Sequence, residues 1–198
     1  TFAVQAVYLL ALARILGARE YGVFSGALAL VMAVSPLAGL GSGNVMVMRV
    51  SVDPQSYRTA FGTTLAYLAG SVPILGLVMA CIGIRSGAEF FRVVVPLVVS
   101  ELFFLRLHDF AMQSFQAHER LGVSAALSVL LVVSRLTGLG MFTVLGTRDA
   151  STWSLYYAGC TVTVGLIGAS AAVISFGGPK RDQPSLRRTW RNGLFLSL

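Results

Sequence analysis

Long apolar segments separated by short polar turns run along the whole chain. Six of them approach the length of a membrane span, and a seventh apolar run starts at residue 193. A transmembrane helix needs about 20 mainly apolar residues. The pattern therefore predicts an all-α, polytopic membrane protein with six transmembrane helices. The six segments cover residues 1–16, 22–47, 59–84, 93–116, 122–145 and 154–176.

The second and third of these segments contain residues that disturb helices. In the second, Pro36 precedes the glycine-rich run 39–44, which favours a kink or local unwinding; close packing of small residues is the other explanation. In the third, Pro73 favours a kink. The sixth segment carries no ionisable group, so we expect an ordinary packed or lipid-facing helix there.

The fourth segment combines membrane length with four ionisable side chains, Glu101, Arg106, His108 and Asp109. Each such group at the bilayer centre costs roughly 2.5–3.5 kcal/mol, so these side chains must face protein or water. On a helical wheel they fall on one broad half. They indicate either a polar cavity or ion route between helices, or a buried network in which Arg106 pairs with Asp109 one turn away.

Arg135 in the fifth segment is predicted to lie close to these charges. The turn 117–121 joins the fourth and fifth segments into a hairpin. Counting 1.5 Å per residue from this turn places Arg135 at nearly the depth of Arg106, between the depths of Glu101 and Asp109. Two roles stay open for Arg135, which are the binding of an anion and a structural pairing with Asp109.

Composition excludes a soluble globular domain. The 198 residues are 56% hydrophobic and 12% charged, with a mean hydropathy of +0.78. The net charge of +7 does not indicate nucleic-acid binding, because five of the 15 basic residues lie in one loop between 180 and 191. Cys81 and Cys160 both lie within predicted spans, so neither a disulfide nor a metal site is indicated, and no cofactor is expected.

The basic residues also predict the orientation. The loops after segments two, four and six carry eight of them, and the other three loops carry four. The positive-inside rule places the former loops in the cytoplasm, and the N-terminus with them. The eight are Arg49, Arg58, Arg120, Lys180, Arg181, Arg187, Arg188 and Arg191.

Short motifs carry a resemblance to a known family. They are Ala-Arg-Ile-Leu-Gly at 13–17, Glu-Tyr-Gly at 20–22, Leu-Gly-Ser-Gly-Asn at 40–44 followed by Arg49, and Leu-Arg-Arg-Thr-Trp-Arg-Asn-Gly at 186–193. The chain resembles the polysaccharide flippases, which are the O-antigen and exopolysaccharide exporters of the multidrug/oligosaccharidyl-lipid/polysaccharide superfamily.

The resemblance implies a two-lobed transporter of twelve or more helices. Residues 1–192 would form its N-terminal six-helix lobe, with the first helix truncated, and 193–198 would begin a seventh helix. Such proteins move undecaprenyl-diphosphate-linked oligosaccharides across the bacterial inner membrane by alternating access, in the biosynthesis of lipopolysaccharide and other polysaccharides. The expected partners are this lipid-linked substrate, membrane lipids and a coupling ion, H⁺ or Na⁺. The expected protein is a transporter, not an enzyme, and we expect this half alone not to transport.

Arginines are the candidate binding groups for the diphosphate, because the guanidinium fork matches phosphate oxygens. Arg14 and Arg49 resemble cavity arginines of the related lipid II flippases, and Arg106 and Arg135 are candidates from their depth. Arg14 has the alternative role of anchoring a helix end at the membrane surface. The candidates for ion coupling, or for counter-ions to the arginines, are Glu101, His108 and Asp109.

Two other functions stay open. A drug exporter of the same superfamily would favour an aromatic, acid-lined cavity over an arginine-rich one. A membrane-embedded glycosyltransferase or polymerase would act on the same lipid-linked sugars, but such enzymes usually carry large periplasmic loops, and the three outward loops here are short.

Overall fold

The computed structural model describes residues 2–146 and 148–180, with side chains from residue 8 onward, and these residues form helices without any strand. The predicted seventh run at 193–198 and most of the basic loop lie outside the described residues. The helices are α1 (Phe2–Val34), α2 (Ser42–Val52), α3 (Tyr57–Ser86), α4 (Ala88–Leu97), α5 (Arg106–Ala117), α6 (Leu121–Val144) and α7 (Ala150–Phe176), with a π-helical segment (Val98–Leu105) between α4 and α5 and 3₁₀ turns at Ser35–Leu37 and Pro54–Ser56.

The first helix reverses direction at Gly17. This residue has φ 79° and ψ 167°, which is a non-helical conformation that favours glycine. Tyr8 and Phe24 both contact the ring of Trp153, with centroids at 6.4 and 6.2 Å. A continuous helix would separate residues 8 and 24 by about 24 Å, so the two halves of α1 must fold back on each other. The predicted turn between the first two segments is therefore confirmed, and it is centred on one residue.

The second predicted segment is broken near its middle. Regular helix ends at Val34, a 3₁₀ turn follows, and α2 begins only at Ser42. Gly39, Leu40 and Gly41 in between have φ values of 81°, 50° and 67°. Of the two explanations for the proline and glycine run, local unwinding is thus confirmed. Close packing occurs as well, because a Cβ on Gly39 would lie 3.0 Å from the ring of Phe110.

Residues 88–117 form one long helical rod through α4, the π segment and α5. Pro96 lies just before the π segment and lacks the N–H that would continue the regular hydrogen-bond ladder. The wider turns of a π segment rotate the following residues relative to a regular helix. The simple helical wheel therefore no longer describes which neighbour each charged side chain faces.

Contacts between helix ends divide the loops into two sets. At one end, Arg19 pairs with Glu89 at 3.1 Å, and the carboxylate of Glu20 accepts a hydrogen bond from the Ala150 amide at 3.0 Å. At the other, the Arg58 Nε donates to the Gly178 carbonyl at 3.1 Å. If the rod 88–117 is counted as one segment, successive helical segments thus run in alternating directions.

Four helical stretches within the described residues are long and apolar enough to cross a membrane. They are Tyr8–Leu37, Pro54–Ser86, Leu121–Val144 and Ala150–Phe176. The first of them contains the reversal at Gly17, so its length is divided between the two halves of α1. Large apolar side chains such as Ile74 and Leu77 are about two-thirds exposed, as expected for surfaces that contact lipid. The rod 88–117 is not one of the stretches that are long and apolar enough to cross a membrane. The total of six spans therefore stays a prediction.

Candidate functional site

Arg106 connects the charged rod to the break in the neighbouring helix. Its Nε and Nη2 donate hydrogen bonds to Ser35 Oγ at 3.1 and 2.7 Å, and its Nη1 donates to Asp109 Oδ2 at 3.2 Å. Ser35 is buried in the 3₁₀ turn, whereas the Arg106 side chain keeps 26% of its surface exposed. The predicted pairing of Arg106 with Asp109 is therefore confirmed, and Ser35 is an additional partner.

A polar cavity of about 310 Å³ lies beside Arg106. The broken segment between α1 and α2 forms one wall, and α5 forms the other. Its polar lining consists of Ser42, Asn44, Arg106 and Gln113. Ser42 Oγ and Gln113 Oε1 are buried and have no hydrogen-bond partner within the described residues. The cavity thus offers one guanidinium group and several polar atoms that are free to bind a ligand.

Glu101 and Arg135 form a second cluster on another side of the same rod. Arg135 Nη2 donates to Glu101 Oε1 at 3.1 Å, and the Tyr157 hydroxyl donates to the same oxygen at 2.8 Å. The guanidinium carbon of Arg135 lies 4.4 Å from the centre of the Tyr157 ring. Glu101 is only 1% exposed, so these two donors are what makes its buried charge tolerable.

Two parts of the sequence-based interpretation are corrected by this cluster. The pairing of Arg135 with Asp109 is wrong, because Arg135 binds Glu101 and Asp109 binds Arg106. The sixth segment is also more than an ordinary packed helix, since α7 contributes the hydroxyl of Tyr157. Trp153, Tyr157 and Thr161 are buried and recur every four residues, and this stripe was the available signal for a polar contact.

The remaining candidates lie apart from both clusters. His108 is fully buried against α7, where a Cβ on Gly168 would lie 3.3 Å from its Nδ1. Arg49 is half-buried and lines a smaller cavity of about 10 Å³ with Thr63 and Thr64, and Ser42 lines both this cavity and the one beside Arg106. Arg14 is exposed on α1. The structure therefore divides the predicted group of charges into two clusters plus isolated residues.

No group of three or more His, Cys, Asp or Glu side chains that could hold a metal occurs in the described part of the chain.

A family model described as polysaccharide biosynthesis protein matches residues 1–198. The chain belongs to this family. The resemblance to polysaccharide flippases is confirmed at the level of the family. With its apolar helices, the chain is a multi-pass membrane protein of polysaccharide biosynthesis. Comparisons with curated proteins and with solved structures give no significant match.

Proposed function

We propose that the protein is a flippase that moves undecaprenyl-diphosphate-linked oligosaccharides across the bacterial inner membrane, as part of a two-lobed transporter with six spans in this lobe. The family supports a role in polysaccharide biosynthesis. The observation that carries the transport function is the polar cavity beside Arg106, because a lipid-linked diphosphate needs a positive, hydrated binding site among apolar helices.

Arg106 has the geometry to bind a phosphate without leaving its present contacts. A guanidinium group has five N–H donors, and the contacts to Ser35 and Asp109 use three of them. About two N–H groups therefore remain for phosphate oxygens. Charge-assisted bonds of this kind are roughly twice as strong as neutral ones. We place Arg106 first among the four candidate arginines for this reason.

The other candidates take different parts in this proposal. Arg135 is engaged by Glu101, so its contribution is to hold α6 and α7 against the rod. Arg14 and Arg49 stay secondary candidates for the diphosphate. Asp109 is the best-placed group for coupling to H⁺ or Na⁺, because it shares Arg106 with the substrate and is part-buried. Glu101 and His108 are the deeper alternatives for an ion route.

A transport assay tests the proposed function directly. The protein, expressed from its complete reading frame, is reconstituted in liposomes with a fluorescent undecaprenyl-diphosphate sugar, and an impermeant quencher measures the labelled headgroups that cross. Arg106→Gln should lower the rate about tenfold or more, since it removes charge-assisted bonds to phosphate. Arg92→Gln is the matched control because Arg92 is exposed on α4, away from the cavity.

Membrane insertion and thermal unfolding in detergent must stay unchanged for Arg106→Gln to be informative. Equal transport rates for Arg106→Gln and the unmodified protein would contradict the diphosphate role of the cavity. Transport of cationic drugs with no transport of the lipid-linked sugar would replace the proposal with the drug-exporter function.

A further inference from the structure

We propose that the amino end of α2, with Ser42 and the Gly43 amide, binds one phosphate of the substrate while Arg106 binds the other. This inference rests on the proposed function and extends it to the selection of a diphosphate over a monophosphate. Its basis is the position of two separate donor groups on facing walls of one cavity, α2 on one side and α5 on the other.

The amino end of α2 is open to an anion. Gly41 precedes the helix in a left-handed conformation, with φ 67°, and no side chain caps the first turn. The amides of Ser42 and Asn44 donate to the carbonyls of Gly39 and Gly41 at 2.9 and 3.2 Å. The Gly43 amide lies in the first turn of α2, where the N–H groups have no partner within the helix. A helix of this length carries partial positive charge at its amino end, and free N–H groups there bind phosphate.

Ser42 gives an independent indication of a ligand. The residue is 2% exposed, lines the cavity, and its Oγ has no hydrogen-bond partner within residues 2–146 and 148–180. A buried hydroxyl without a partner is unfavourable, and a bound ion is one explanation for such a group. A phosphate oxygen in the cavity would accept from this hydroxyl and from the Gly43 amide together.

The opposite wall supplies charge and space. Arg106 and Gln113 are two turns apart on the same face of α5, so the lining covers about 10 Å along the helix. At about 30 Å³ per water, the cavity of about 310 Å³ has room for a diphosphate group. Asp109 is the one carboxylate in contact with Arg106 in the described chain, and its negative charge opposes the incoming phosphate.

Binding measurements on the purified protein in detergent test this inference. The probes are farnesyl diphosphate and farnesyl monophosphate, titrated calorimetrically. Ser42→Ala should weaken binding of the diphosphate about tenfold and leave binding of the monophosphate within about twofold, because only the second phosphate reaches α2. Arg106→Gln should weaken both, and Asp109→Asn should strengthen both.

Ser51→Ala is the matched control, since Ser51 lies on the same helix at its carboxyl end and donates to the Val47 carbonyl at 2.8 Å. It should leave both affinities unchanged. If thermal unfolding shows that Ser42→Ala is not folded, Ser42→Gly, which also lacks the hydroxyl, takes its place. The inference is overturned if the Ser42 variant keeps the ratio of diphosphate to monophosphate affinity, whether both affinities stay the same or both fall equally.

The two proposals fail in different ways. If Arg106→Gln slows transport but the Ser42 variant keeps its preference for diphosphate, the flippase function stands and the role of α2 is refuted. If the Ser42 variant loses that preference while the unmodified protein does not move the lipid-linked sugar, the diphosphate site stands and the proposed function is refuted.

Discussion

The Glu101 carboxylate is buried among apolar helices, so its negative charge needs partners. The charge is tolerated through one ion pair and one hydrogen bond, from Arg135 and Tyr157, which converge on the same oxygen. In such pairs the attraction mainly offsets the loss of hydration, so the pair adds little net stability. Removing one partner, however, leaves an uncompensated buried charge.

Arg135→Gln should therefore destabilise the protein by about 3–5 kcal/mol, by analogy with buried pairs in soluble proteins. The double variant Arg135→Gln with Glu101→Gln should recover most of this loss, since two neutral amides need no counter-charge. Denaturant unfolding in mixed micelles measures both free energies. The matched control is Arg135→Gln with Asp109→Asn, which should not recover stability because Asp109 pairs with Arg106. Recovery in that control would contradict the observed pairing.

The rod 88–117 contacts two neighbouring regions that differ in chemistry. Glu101 and His108 face α6 and α7, where packing is tight, whereas Arg106 and Gln113 face the broken segment and the cavity. The π segment lies between α4 and α5, close to where these two sets separate. π-Helical turns often occur at functional sites, which agrees with the placement of the cavity.

Asp149 caps the amino end of α7 from outside the span, beside the Glu20 carboxylate that accepts from the Ala150 amide. Asp149 Oδ2 accepts from the Thr152 amide at 2.9 Å and from the hydroxyls of Ser151 and Thr152. The Ser151 hydroxyl, followed by the Thr152 donors, lowers the pKa of Asp149 below its ordinary value of 3.8. Since folding favours the ionised form, this contribution to stability is present above the ordinary value and is lost as pH falls through the lower folded pKa.

We expect Asp149→Ala to lower stability by about 1 kcal/mol, which is typical for loss of a helix cap. Asp149→Asn keeps the acceptor but cannot ionise. The difference in melting temperature between the unmodified protein and Asp149→Asn should therefore be constant near neutral pH and shrink as the pH falls below the ordinary value of 3.8. Thermal unfolding of both proteins from pH 7 to pH 2.5 measures it. A difference that stays the same from pH 7 to pH 2.5 would show that ionisation of Asp149 does not stabilise the cap.

The whole molecule has two ends that contacts keep distinct. Arg19, Glu89 and Asp149 belong to one end, and Arg58 and Lys180 belong to the other. The distribution of basic residues favours the second end as the cytoplasmic one.

Single cysteines can test this orientation in a background that lacks Cys81 and Cys160. Glu89→Cys and Asp149→Cys should react with a membrane-impermeant thiol reagent in intact cells, and Lys180→Cys should react only after permeabilisation. A permeant reagent that labels all three sites is the control. Labelling of position 180 alone would invert the orientation, and labelling of positions 89 and 180 from the same side would contradict the alternating helices.

The sequence by itself determined the helical class, the membrane location and most helix boundaries. The turn at 117–121 and the ends of α3 and α6 agree with the prediction to within two residues. These features depend on hydropathy summed over about 20 residues and on local glycine or polar turns, so they are encoded in the segment itself. The α7 helix begins four residues before the predicted segment, at Ala150, because the Asp149 cap lies in the polar loop.

The pair Arg106–Asp109, one turn apart, was predicted from the sequence, but only the tertiary structure decided which charged groups meet between helices. A depth count placed Arg135 near Glu101, Arg106 and Asp109 alike, but the rotation of α6 directs it to Glu101. The helical wheel placed the charged residues of the rod 88–117 on one half, although they lie on two different faces. The break at 35–41 was one of two interpretations of the proline and glycine run. Ion pairs depend on distances of a few ångströms and on helix rotation, and both are set by packing between segments that are far apart in the chain.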